Sequence, residues 1–230
     1  MTLLHPHSKV NRAMASSLGA LLLLLSLALV SSKYVDSNRA EEARASLEFK
    51  LNKVKAARSL NGTLTVPFSF PLYLQCDDAW GNDIMDTKTI CSVGCLMTST
   101  SMALSGSGIA IAASGANAQT LNTWLKANGG YDGSNDLEEG VVPNIDPSRI
   151  SWPADAMHKT NDLSYATVSS YLSQGRIVIA NVMAGRHFVL LTGFSSDGDT
   201  FVVNDPGFNV DSYSYKTDVV GYRIFDMVRS

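Results

Sequence analysis

The hydrophobic period of this chain changes once, near Gln174-Gly175, and that change limits the folds open to it. Before it, apolar residues recur every three or four positions, as in amphipathic helices; after it they come in short strand-length runs. Leu96 to Leu104 is the first helical stretch of the main domain, with Met97, Met102, Ala103 and Leu104 able to face a core and Gly106-Ser107-Gly108 ending it. Gln119 to Asn128 puts Leu121, Trp124 and Leu125 on one face and stops at Asn128-Gly129-Gly130. A third helix is predicted from about Asp162 to Ser173. Asp132 to Trp152, rich in Gly, Pro, Asn and Asp, reads as irregular surface. Then come four predicted strands, Arg176–Met183, His187–Phe194, Phe201–Asn204 and Val219–Val228. Gly185-Arg186 and Asp197-Gly198-Asp199 supply the hairpin turns. Helices first and an antiparallel sheet second define an α+β architecture.

The first third of the chain has another character. Leu18 to Val30 is a thirteen-residue apolar run preceded by Lys9 and Arg12. Residues 1–32 therefore read as a signal peptide cleaved after Ser32, or as an uncleaved anchor giving the protein a membrane attachment. Either way the remainder is expected in the lumen of the secretory pathway or outside the cell. Asn38 to Leu60 reads as one helix opened by an Asn38/Glu41 capping box, so residues 33–63 form a helical stalk or a pro-segment. Asn61-Gly62-Thr63 is an N-glycosylation sequon. Residues 64–230 are left for one domain with a sizeable core.

That domain carries nine basic and seventeen acidic side chains, a net of −8. Such a surface is a poor partner for nucleic acid or anionic lipid. No cofactor and no metal is expected. The three cysteines follow the spacing C-x14-C-x3-C, which matches no zinc pattern. Asp77, Asp78, Asp83 and Asp86 lack the EF-hand spacing and its closing Glu.

The chemistry centres on Cys76, Cys91 and Cys95. An odd count in a secretory protein suggests one pair and one free thiol. That arithmetic fits a Cys76–Cys91 disulfide with Cys95 free; three reduced thiols fit the sequence as well. Cys95 follows a glycine and opens an apolar helix, where free N–H groups favour a thiolate. A thiol nucleophile needs a base and a group that orients the base. His187 opens a predicted strand. Asp205 ends the next one, close enough across a hairpin to hold an imidazole in one tautomer. Gln75 can donate its side-chain amide to an oxyanion together with the backbone N–H of Cys95. His158, in the loop-rich region, is expected to be exposed and to have no part in catalysis.

Five separated motifs between about Val66 and Phe225 carry a family resemblance. They are Gln75-Cys76-Asp77-Asp78-Ala79-Trp80, Thr89 to Ser99 around Cys95, Leu121 to Tyr131, Arg186 to Gly193, and Val203-Asn204-Asp205-Pro206-Gly207. Together they resemble the double-glycine (bacteriocin-processing) peptidases and their stand-alone relatives, in the papain-like superfamily. The resemblance implies a papain-like fold and a peptide or amide substrate. It also implies Cys95 as nucleophile, His187 as general base, Asp205 as its orienter and Gln75 in the oxyanion hole. Bacteriocin-processing members are fused to transporter and nucleotide-binding domains. This chain has no G-x-x-x-x-G-K-[ST] loop, so a double-glycine leader is not carried over as its substrate. A non-catalytic binding domain and an acyl or peptidyl transferase are the other readings that the same residues fit.

Overall fold

The computed structural model describes residues 69–229. The apolar run Leu18–Val30, the helix expected over Asn38–Leu60 and the sequon at Asn61 lie outside them. Among the described residues no helix is long and apolar enough to cross a membrane.

The sheet runs through the middle of the domain, and its strands are apolar on both faces because both faces are covered. In β3 (Ile177–Val182), Ile177 and Ile179 enter one buried cluster while Val178, Ala180 and Val182 enter another. The first cluster receives α2 (Cys95–Gly106) and α3 (Ala118–Ala127) through Met97, Leu104, Leu121 and Leu125. The second receives α4 (Tyr165–Ser173) through Val168 and Leu172. A short helix, α1 (Ile90–Val93), precedes α2.

The remaining strands are β1 (Ile150–Ser151), β2 (Met157–His158), β4 (His187–Phe194), β5 (Thr200–Asn204), β6 (Ser212–Ser214) and β7 (Gly221–Met227). Their order is β1-β7-β3-β4-β5-β6, with β2 also paired to β7, and all the pairs are antiparallel. The architecture is α+β, as the change of period predicts.

The structure corrects the expected pattern in two places. The third helix begins at Tyr165, not near Asp162, because Ser164 caps it by accepting the Thr167 N–H. Asp162 is engaged elsewhere, on His158. Asp132 to Trp152 is not irregular surface. It contains a 3-10 helix (Glu139–Ile145) and strand β1, and it buries Leu137, Val142 and Ile150. Glu139 is also buried there, paired with Arg223 of β7, which lies over the Phe188 ring. Scattered single apolar residues among Gly, Pro and Asn give no periodicity, so this part of the core was hidden.

Candidate active site

Helix α2 is the centre of the domain. Met97 to Leu104 are all buried, including four consecutive Ser and Thr residues. Small hydroxyl side chains let neighbouring elements approach; two of the four bond within the helix, and Thr98 Oγ1 has no partner among the described residues. Thr100 donates to the Leu96 carbonyl and Ser101 to that of Thr98. Ser99 instead donates across to the Phe188 carbonyl of β4, at 3.3 Å, which fixes the helix start against the strand that begins with His187.

The helix starts at Cys95 because Gly94 separates it from α1. A Cβ on Gly94 would lie 2.5 Å from the Ile90 carbonyl oxygen and 2.7 Å from its Cγ2, so only glycine makes this junction. As the first residue of a helix, Cys95 has a backbone N–H with no partner inside that helix. Its side chain is a free thiol, half-buried. Cys76 and Cys91 form a disulfide.

His187 stands opposite Val182 in the β3–β4 hairpin. The turn between them carries Met183 and Ala184 in the left-handed region, at φ 54° and 55°. Pairing of β4 with β5 sets Leu190 opposite Asn204, and Asp205 follows at once. His187 Nε2 lies 2.7 Å from Asp205 Oδ1, with the two side chains 6% and 0% exposed. The free thiol of Cys95 lies near enough to His187 to act on its charge. Burial pulls the imidazole pKa down, but the hydrogen bonds and charges of Asp205 and Cys95 outweigh it and raise it to about 9. Burial pushes the Asp205 carboxyl up. Donors from His187, Gly207, Tyr213 and Phe208 overcome that and hold it below the usual carboxylate range.

Gln75 links the two halves of this arrangement. Its backbone N–H donates to the Pro206 carbonyl at 2.8 Å. Its side-chain Nε2 donates to the Cys91 carbonyl at 2.7 Å. Its Oε1 is buried without a partner among the described residues. Gly207 lets these groups crowd together, since a Cβ there would come 2.9 Å from His187 Cε1 and 3.4 Å from Gln75 Oε1. The Asp77–Asp86 loop braces the same segment: Gly81 and Asp83 carbonyls accept the N–H groups of Cys91 and Ile90.

Three neighbours were given no role from the sequence. Tyr213 donates its hydroxyl to Asp205 Oδ2 at 2.8 Å. Phe208 sets its ring edge-on to His187, centroids 5.0 Å apart, while staying half-exposed. Gly207 provides the close approach just described. Tyr213 lies in Ser-Tyr-Ser, a three-residue strand too short and polar to register as one. His158 is not the exposed loop residue expected. It lies in β2 with its side chain only 14% exposed, bonded through Nδ1 to Asp162 at 2.8 Å and edge-on to Tyr222.

A free thiol beside an imidazole that a buried carboxylate holds from behind suits thiol-dependent acyl chemistry, and the domain is cysteine-peptidase-like. The chain belongs to the Peptidase_C39 like family, which residues 68–225 match. The family expectation raised by the five motifs is thus met. No curated protein and no solved structure matches the chain.

Proposed function

We propose that this protein is a cysteine peptidase or amide hydrolase of papain-like fold, working through an acyl-thioester on Cys95. The observation that carries the reading is the bond from His187 Nε2 to the buried Asp205 carboxylate, with the free thiol of Cys95 close enough to act on the same imidazole. His187 takes the thiol proton, and the thiolate attacks the scissile carbonyl carbon. Negative charge on the carbonyl oxygen meets the Cys95 backbone N–H and the second N–H of the Gln75 amide, whose first N–H is held by Cys91. The imidazolium returns its proton to the leaving amine as the C–N bond breaks, leaving the acyl group on sulfur. Water then gives a proton to neutral His187 and its oxygen displaces the thiolate, releasing a carboxylic acid.

The Cys76–Cys91 disulfide supports an oxidising compartment, so we place the protein in the secretory lumen or outside the cell. Attachment to a membrane through residues 18–30, a stalk or pro-segment over 33–63 and glycosylation at Asn61 belong to the same proposal.

The test is the full chain and its Cys95→Ala variant against a quenched fluorescent peptide library and a thiol-reactive electrophilic probe. Hydrolysis and labelling should both disappear in the variant, with the folded circular dichroism spectrum retained. Hydrolysis that persists in Cys95→Ala sinks the assignment.

A further inference from the structure

Asp205 is 1% exposed, so water does not complete its hydrogen bonding. Its two oxygens are served unequally. Oδ1 receives His187 Nε2 at 2.7 Å, the Gly207 N–H at 2.8 Å and the Phe208 N–H at 2.9 Å. Oδ2 receives the Tyr213 hydroxyl at 2.8 Å. That hydroxyl is held in place by sheet register: Tyr213 stands opposite Phe201 in the β5–β6 pair, and the flanking residues Thr200 and Ser214 are paired as well.

We propose that Tyr213 is a positioning residue that restrains the basicity of Asp205 and thereby sets the pH at which His187 releases its proton. A donor on a carboxylate stabilises its negative charge, and bonds to charged groups are among the stronger ones. Without the hydroxyl, the carboxylate binds the shared proton more tightly, and the imidazolium beside it becomes a weaker acid. The step that needs neutral His187, attack of water on the thioester, then requires a higher pH.

Other charges are arranged consistently with this. Among the described residues, His187 faces Asp205 and Cys95, and Tyr213 faces Asp205 and Asp218. Burial first, then Asp205 and Asp218, push the Tyr213 hydroxyl well above the ordinary phenol range, so it stays a donor throughout the working pH range. The kinetic part of the inference rests on the hydrolase reading; the link between Tyr213 and His187 does not.

The test is Tyr213→Phe in the full chain. The rising limb of the kcat against pH profile should move up by about half a pH unit or more. With a substrate whose deacylation limits turnover, kcat at pH 7 should fall roughly 3- to 10-fold and KM should fall with it, leaving kcat/KM nearly unchanged. The substitution should add nothing to Asp205→Asn, because it acts through that carboxylate. The His187 C2–H titration followed by NMR in a Cys95→Ala background should also move up, and this readout needs no turnover. Site-specific 3-fluorotyrosine at position 213, a stronger donor with the ring retained, should move the same midpoint down. A shifted NMR midpoint in a chain that hydrolyses nothing retains the link and overturns the hydrolase reading. Turnover with an unmoved or lowered midpoint in Tyr213→Phe, or equal losses with and without the Asp205 carboxylate, overturns the link.

Discussion

Two histidine–aspartate pairs in this domain have nearly the same length, and only one of them lies near a free thiol. His187–Asp205 measures 2.7 Å and His158–Asp162 measures 2.8 Å. They differ in everything around that bond. His187 meets its carboxylate through Nε2 and has a free thiol near its ring; His158 uses Nδ1 and packs its ring edge on Tyr222. Asp205 is buried under further donors, whereas the Asp162 side chain is 54% exposed. A carboxylate open to water is screened and free to move, so it holds an imidazole poorly. The lesson is that the distance within such a pair says little. What decides is whether a thiol lies near the ring and how firmly the carboxylate is held.

The sharpest way to break this comparison is to remove each ring in turn. His187→Ala should lower kcat/KM by about 10³-fold or more, since in the proposed mechanism it removes both the base that activates the thiol and the acid for the leaving amine. His158→Ala should leave it within about twofold. Steady-state rates on one peptide substrate decide it, and a loss of equal depth in the two variants would mean that the pairs had been told apart wrongly.

A smaller effect separates the pairs by pH. His187 binds its proton more tightly when folded, with the pKa raised to about 9 from 6.5. Its contribution to stability is therefore fully present below about pH 6.5 and is lost as pH rises through about 9. The stability advantage of the wild type over His187→Gln, from urea melts, should shrink steadily between those limits. An advantage that stayed flat, or grew with pH, would contradict the raised pKa.

How much of this was readable from the chain depends on sequence distance. Cys95 and its helix were legible because a glycine, a cysteine and an apolar run are neighbours in sequence. His187 and Asp205 were legible because one opens and the other follows the two strands of one hairpin, marked by short apolar runs and the Asp197-Gly198-Asp199 turn between them. Tyr213 was not, since its role depends on a second register, β5 against β6, in a strand with no apolar pattern. His158 was misjudged for the same kind of reason. Its strand β2 is two residues long and exists only because β7 pairs with it, from Met157–Arg223 to His158–Tyr222. Glu139 was hidden likewise, being buried only where Arg223 arrives from the far end of the chain.

His158 also supplies the smallest effect, in which a stability change should appear without a catalytic one. Its ring packs on Tyr222, which is fully buried, so His158→Ala leaves a gap beside a large side chain. The lost pair with half-exposed Asp162 is worth under about 1 kcal/mol. Together these should cost about 1–2 kcal/mol, or a fall in Tm of roughly 2–8 °C for a domain of this size. The backbone of β2 still pairs with β7 in the variant, because those bonds need no side chain. Activity below the melting range should therefore stay near the wild-type rate. If Tm falls as expected and the rate falls with it at temperatures well below melting, β2 would be coupled to the site through β7 and β3. The contrast between the two pairs would then give way to a single connected sheet.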